Sequence, residues 1–177
     1  MQDERNLAAW RQQWAIGRYL LLGTVIATAV NILLMLVNAG FYIPFCSAIP
    51  YYLTFFGYYF DHNQLGTYTL TGLLMALPFL AAFLLMWFRA KHSVGWMIAG
   101  MVLLIVDTVA LALIALVLSG SPGSFLMEVI FHIVVLYELF VGIRAKRRMD
   151  AAEKETPVFP EEWDSQTPAD SQYTDTL

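Results

Sequence analysis

Four long apolar blocks dominate the pattern of hydrophobic and polar positions along the chain. They cover residues 19–39, 69–88, 96–118 and 125–143. Each block is close to the ~20 residues that an α-helix needs to cross the hydrocarbon core of a bilayer. The pattern therefore predicts an all-α integral membrane protein, built as a single bundle of four transmembrane helices.

The composition agrees with this pattern. Of the 177 residues, 59% are hydrophobic and 14% are charged, and the mean hydropathy is +0.60, whereas soluble domains carry roughly 25% charged residues. A cleaved signal peptide is disfavoured, because the first apolar stretch is longer than the ~7 to 15 apolar residues of a signal peptide and follows a long polar segment. We therefore expect the first block to remain as a membrane span.

A fifth apolar segment, FYIPFCSAIPYYLTFFGYYF at residues 41–60, is also 20 residues long. The distribution of charge decides whether it crosses the membrane. With four spans and a cytoplasmic N-terminus, all 10 Lys and Arg residues lie on the cytoplasmic side, as the positive-inside rule requires. A fifth crossing would divide them between the two sides. We therefore predict a multi-pass protein of the cell membrane with both termini cytoplasmic.

The segment 41–60 is rich in Phe and Tyr, whose amphipathic rings favour the headgroup region of a bilayer. Pro44 and Pro50 interrupt any long helix there. We predict an external aromatic hairpin over residues 41–66, either interfacial or re-entrant, with a short helix from about residue 50 to residue 60. A cap over the bundle is the favoured interpretation, and a groove for a substrate or partner is the alternative.

The two ends of the chain are polar. Residues 1–18 form a predicted cytoplasmic N-terminal segment, and residues 19–143 form the membrane bundle. Residues 144–177 begin with the basic run RAKRR and continue as an acidic tail. Such a tail cannot bury enough apolar surface to fold alone, so we expect it to be a disordered cytoplasmic segment.

Polar side chains nevertheless occur inside the predicted spans. Thr24, Thr28, Asn31 and Asn38 follow one another at steps of four, three and seven residues, which places them on one face of the first helix. We expect this face to lie against the bundle, because an amide that faces lipid has no hydrogen-bond partner. Asp107 lies near the middle of the third span, where an ionised carboxylate costs about 2.5 to 3.5 kcal/mol.

The fourth span supplies candidate partners for Asp107. Glu128 and His132 are four residues apart and therefore share one helix face. His132 is expected roughly 10 Å from the outer end of its span, at a depth similar to that of Asp107 and Asn31. We therefore predict a buried polar cluster of Asn31, Asp107, Glu128 and His132 in the outer half of the membrane.

Glu138 lies on a different face of the same span, near its cytoplasmic end. At 1.5 Å per residue it is only about 8 Å from that end. It could reach the interface or pair with Arg18 or Arg89. We interpret Glu138 as a structural residue, separate from the cluster.

Three kinds of chemistry suit the cluster. Asp107, Glu128 and His132 could be the ligands of one divalent metal ion, such as zinc or iron, in an intramembrane enzyme. The same groups could form a proton relay. They could also form an interhelical clamp, in which each hydrogen bond contributes roughly 0.6 to 2 kcal/mol. No Ser or Cys lies in a recognisable nucleophile pattern, so a catalytic residue cannot be assigned.

Three stretches resemble a family of small four-span bacterial integral membrane proteins of uncharacterised function. They are FCSAIPYYL at 45–53, KHSVGWMIAGMVLLIVDT at 91–108 and MEVIFHIVVLYELFVGIRAK at 127–146. The resemblance implies an acid at Glu128, His at His132 and Asp at Asp107, and an aromatic residue where this chain has Glu138. It implies a four-span fold and no particular activity.

The leading functional hypothesis is a non-catalytic accessory or partner-binding membrane bundle, in which the polar cluster fixes the packing of the helices. The alternatives are the metal-dependent enzyme and a small proton-coupled transporter. The expected partners are the lipid bilayer and another membrane protein or a second copy of the chain, with no role for nucleic acid. Cys46 is the only cysteine, so no disulfide forms within the chain.

Overall fold

The computed structural model describes residues 2–118 and 123–155, which form helices and contain no strand. Four helices are long and apolar enough to cross a membrane, whereas α2 is about 20 Å long and too short to do so. The prediction of an all-α bundle with four spans is confirmed. The helices are α1 (Gln2–Leu36), α2 (Ala48–Phe60), α3 (Thr67–Arg89), α4 (Val94–Leu118) and α5 (Gly123–Glu155).

The four long helices form a closed bundle in the order α1, α3, α4 and α5, with α5 packed back against α1. Neighbouring helices are antiparallel, because each long helix reverses the direction of the one before it. The core between them is apolar and includes Leu21, Met97, Leu104 and Leu139. We term the end at which α1 ends and α3 begins the α2 end, and the opposite one the basic end.

The segment between α1 and α2 re-enters the bundle. The Asn31 side chain is hydrogen-bonded to the backbone of Ile43, and the Thr28 hydroxyl accepts from the backbone N–H of Ser47. The chain therefore descends antiparallel to α1, and its lowest point is about 12 Å below the end of that helix. From there α2 rises back to the α2 end. Of the two predicted arrangements, the structure has the re-entrant one.

Helix α2 packs most closely on α3. A Cβ atom at Gly57 would collide with the backbone carbonyl of Tyr68, and one at Gly72 would collide with the carbonyl of Leu53. These two glycines allow the backbones of α2 and α3 to touch. In the turn between the helices, the Asp61 carboxylate accepts hydrogen bonds from the Thr69 N–H at 2.6 Å and from its hydroxyl at 2.8 Å.

Helices α1 and α5 extend beyond the predicted spans at the basic end. Helix α1 already begins at Gln2, and α5 continues through the basic run to Glu155. An ion pair of 2.5 Å between Lys146 and Asp150, one turn apart, supports the extension of α5. The part of the predicted acidic tail from residue 156 onwards lies outside the described residues.

Candidate functional site

Asp107 is the centre of a buried polar cluster at the start of α2. Its carboxylate is 1% exposed and accepts four hydrogen bonds, two on each oxygen. Oδ1 accepts from the Ser47 hydroxyl at 2.9 Å and from the Ile49 N–H at 2.7 Å. Oδ2 accepts from the Ala48 N–H at 2.8 Å and lies 3.1 Å from Nε2 of His132. Protein groups therefore surround both oxygens.

Together these bonds complete the first turn of α2. Ser47 is the N-cap residue, but its hydroxyl does not cap the helix and is directed to Asp107 instead. The free N–H groups of Ala48 and Ile49 also bind Asp107, and Pro50 has no N–H that needs a partner. Asp107 thus acts as the N-terminal cap of a helix from which it is remote in sequence. A negative charge at this position is also favourable for the helix dipole.

His132 holds Asp107 from the side of α5. Its Nδ1 lies 2.8 Å from the Glu128 carbonyl oxygen, which can only accept, so Nδ1 carries a proton. The contact between Nε2 and the Asp107 carboxylate holds one further proton. Whichever of the two atoms carries that proton, the Asp107–His132 pair has no net charge.

Glu128 is buried beside this pair, with 3% of its surface exposed. The Tyr42 hydroxyl lies near its carboxylate. Within the described residues, the second carboxylate oxygen, Oε2, has no hydrogen-bond partner. Burial and the nearby carboxylate of Glu128 raise the pKa of Tyr42 to about 12. The Tyr42 hydroxyl therefore keeps its proton at neutral pH and remains a donor.

Asn31 belongs to the same region but does not bond to Asp107. Its amide donates to the Ile43 carbonyl at 2.6 Å and accepts from the Ile43 N–H at 2.7 Å. The buried Cys46 thiol lies near its side chain. The structure thus brings Asp107 and His132 into direct contact, places Glu128 next to them, and uses Asn31 to hold the re-entrant linker.

The geometry does not arrange a set of metal ligands at the site that the sequence predicts. Within residues 2–118 and 123–155, no group of three or more His, Cys, Asp or Glu side chains is arranged to hold a metal ion. Both oxygens of Asp107 are already occupied by donors, and the His132 nitrogens are directed at protein acceptors. Metal binding by Asp107, Glu128 and His132 stays a prediction.

Glu138 is separate from the cluster. It is half-buried near the basic end of α5, and among the described residues it forms no ion pair with Arg18 or Arg89. Its carboxylate is therefore a suitable comparison for Glu128 in substitution experiments.

A cavity of about 310 Å³ lies next to the cluster, between the last turns of α1, the linker and α2. We term it the α2-end cavity. Tyr42 forms part of its wall and also lies near Glu128, so this side chain stands between the cavity and the polar cluster. The lining includes Asn31, Asn38, Tyr42, Tyr51, Phe55 and Tyr58.

Sequence reasoning missed the partners of Asp107 that lie in the linker. Ser47 shortly before Pro50 is a usable signal for an N-cap, and it would have moved the predicted start of α2 from residue 50 to residue 48. Backbone donors such as Ala48 and Ile49 leave no signal in a sequence, because any residue except proline carries the same N–H.

Comparisons with known proteins add no relatives: no family model matches the chain, and no curated protein or solved structure is detectably similar to it. The resemblance to small four-span bacterial membrane proteins therefore stays a prediction.

Proposed function

We propose that the chain is a non-catalytic accessory protein of the membrane, in which the polar cluster holds α2 as a fixed, aromatic cap for contact with another membrane protein. One observation carries the proposal: each oxygen of Asp107 accepts two hydrogen bonds, and three of the four donors lie at the start of α2. A carboxylate that acts directly on a substrate as an acid or a base needs a lone pair free for it. A clamp needs all of them occupied, as they are here.

The exposed rings at the α2 end support the contact role. Phe41, Tyr59, Phe60 and Tyr68 are each more than 60% exposed, and Tyr59 and Phe60 end the helix that Asp107 caps. Aromatic side chains are enriched both at bilayer interfaces and in protein interfaces, because one side chain offers apolar area and, in tyrosine, a polar tip. A rigid helix presents these rings without a large entropic cost on binding.

The clamp can be tested with Cys46 as a natural reporter. Asp107→Asn replaces an acceptor with an amide that directs its own donors at the N–H groups of α2. We expect the free energy of unfolding to fall by about 3 kcal/mol and the labelling of Cys46 by N-ethylmaleimide to become faster. Glu138→Gln is the matched control and should leave both unchanged. Equal protection of Cys46 in Asp107→Asn and in the wild type would contradict the clamp.

The contact role needs a second experiment in native membranes. A photo-crosslinking residue in place of Tyr59 should give one adduct of defined mass. That adduct should disappear when Asp107→Asn is added and remain when Glu138→Gln is added. An adduct of twice the chain mass would identify a second copy as the partner. Adducts with lipid alone would contradict an accessory role and leave α2 as a cap in the bilayer interface.

A further inference from the structure

Three arginines share one face of α5 directly after its apolar block. Arg144 follows Ile143, the last residue of that block, and Arg147 and Arg148 are three and four residues further along. The geometry of an α-helix places their side chains within about 100° of one another. All three are exposed, and among the described residues none of them forms an ion pair. The basic run therefore presents three unpaired positive charges on one side of the helix.

The other charges of this part of α5 do not neutralise the arginine face. Lys146 lies about 150° round the helix from the middle of that face and is ion-paired with Asp150. Glu153 lies on the opposite side, and Glu155 is about 10 Å beyond Arg148 along the helix axis. Arginine stays protonated at neutral pH, and like charges three or four residues apart on a helix repel one another. The face therefore favours an anion.

Helix α1 orients one of the three arginines. The guanidinium carbon of Arg148 lies 6.0 Å from the centroid of the Trp10 ring. Trp10 is half-buried near the start of α1, which packs along α5. A cation–π contact of this kind leaves the positive charge in place and leaves the N–H donors of the guanidinium for an anion. A side chain that is already held in position also loses less entropy on binding.

The arginine face lies at the level of the lipid headgroups. Arg148 is about 6 Å beyond Arg144 along the helix axis. A bilayer is about 40 to 45 Å thick with its headgroups and about 30 Å without them, so each headgroup layer is about 5 to 8 Å deep. Trp10 agrees with this level, because tryptophan is enriched at membrane interfaces. The anions that are concentrated here are the phosphates of the lipids.

We propose that the face formed by Arg144, Arg147 and Arg148 binds the phosphate of an anionic phospholipid. The planar fork of a guanidinium group matches two oxygens of a phosphate. A zwitterionic lipid is a poorer ligand, because its own cation compensates its phosphate. The segment 156–177 also carries acidic residues, but it would have to fold back along α5 to reach this face, at the entropic cost of closing a loop. The site lies at the basic end, so its test is independent of the accessory role.

The test uses the full chain in detergent micelles, with bound lipids counted by native mass spectrometry. Phosphatidylglycerol is titrated as the anionic probe, and phosphatidylcholine is the zwitterionic comparison. We expect saturable binding of phosphatidylglycerol, with an affinity about fivefold or more above that for phosphatidylcholine. Equal affinity for the two lipids would overturn the proposal and would favour the acidic segment 156–177 as the occupant of the arginine face.

Three substitutions that each remove one positive charge locate the site. Arg144→Gln and Arg147→Gln should each weaken phosphatidylglycerol binding about fivefold. Lys91→Gln is the control, because Lys91 is exposed at the same end of the bundle but lies in the turn between α3 and α4. It should change the affinity by less than about twofold. Arg147→Gln provides the decision if Arg144→Gln fails to fold. Equal weakening by all three substitutions would indicate a diffuse attraction to the whole basic end and would overturn the proposed site.

Discussion

Asp107 accepts hydrogen bonds from two backbone N–H groups, those of Ala48 and Ile49, that belong to another helix. A carboxylate inside a membrane bundle is costly unless every lone pair is used, and here each oxygen accepts two hydrogen bonds. The same hydrogen bonds fix the position of α2, whose first turn would otherwise leave free N–H groups within the bundle. At this residue, the cost of burying a charge is offset by the capping of a re-entrant helix.

The Thr28 hydroxyl also holds the re-entrant linker in place. It accepts from the Ser47 N–H at 2.8 Å. Its contribution can be tested by a substitution that keeps the shape of the side chain. Thr28→Val keeps the shape but leaves that buried N–H unpaired, so we expect the free energy of unfolding to fall by about 1 to 3 kcal/mol. Unfolding in SDS, followed by circular dichroism, measures the change. Thr28→Ser retains the acceptor, so its free energy of unfolding should fall by less. Thr71→Val, at an exposed position on α3, should stay close to the wild type.

Asp61 makes the stability of the turn between α2 and α3 depend on pH. Partial burial acts against ionisation, but the hydrogen bonds from Thr69, with those from the Tyr68 and Gly66 backbone, outweigh it and lower the pKa of Asp61 from its usual 3.8. A lowered carboxylate pKa contributes stability above the pKa of the unfolded state, and that contribution is lost as the pH falls through the folded value.

We therefore expect Asp61→Asn to be less stable than the wild type at pH 7. The difference between the two proteins should shrink as the pH falls below about 4. SDS unfolding at a series of pH values measures it. Asp150→Asn, which removes a partly exposed ion pair on α5, should show a small difference across the same range. A difference for Asp61→Asn that does not depend on pH would contradict the assignment.

At the scale of elements, the contact between α2 and α3 depends on two glycines. A Cβ atom at Gly57 would lie within 3.0 Å of the Thr69 Cα and closer still to the Tyr68 carbonyl. Because backbone cannot yield as a side chain can, we expect Gly57→Ala to lower the free energy of unfolding by about 1 to 3 kcal/mol. Gly95→Ala, where the nearest atom is a serine hydroxyl at 3.5 Å, should be neutral or stabilising. Equal stability of the two variants would contradict a close backbone contact.

The elements differ in how far the sequence could predict them. The four spans follow from apolar blocks of the right length, and Thr24, Thr28 and Asn31 on α1 are buried as their spacing predicted. The prediction was wrong for Asn38, which lies beyond the end of α1 at Leu36 and is exposed. The depth of Asp107 and His132 could be counted along each helix. Their contact could not, because it depends on the rotation of α4 and α5 about their axes, which many long-range packing contacts decide together.

The start of α2 was misplaced for a related reason. Local rules treat Pro50 as a break, whereas in the structure it occupies the first turn, where a missing N–H costs nothing. Asp107 supplies the acceptor that makes this possible, and it lies 59 residues from Ala48 in the sequence. Partners so far apart cannot be identified from one sequence.

At the scale of the whole molecule, charge divides the bundle into two ends. Lys and Arg residues gather at the basic end, whereas the polar cluster, the α2-end cavity and the exposed rings lie towards the α2 end. Under the positive-inside rule this asymmetry predicts that the basic end is cytoplasmic and that the α2 end faces outwards. The accessory role proposed above requires a contact at the α2 end. The orientation therefore decides on which side of the membrane the partner must lie.

Single cysteines can determine the orientation. In a Cys46→Ala background, Gln64→Cys places an exposed thiol in the turn between α2 and α3, and His92→Cys places one between α3 and α4. A membrane-impermeant maleimide applied to intact cells should label Gln64→Cys alone, because only that turn is expected outside. After permeabilisation both should be labelled, which shows that each thiol is accessible. Labelling of His92→Cys alone in intact cells would reverse the topology and would place the α2-end cavity and its aromatic cap in contact with the cytoplasm.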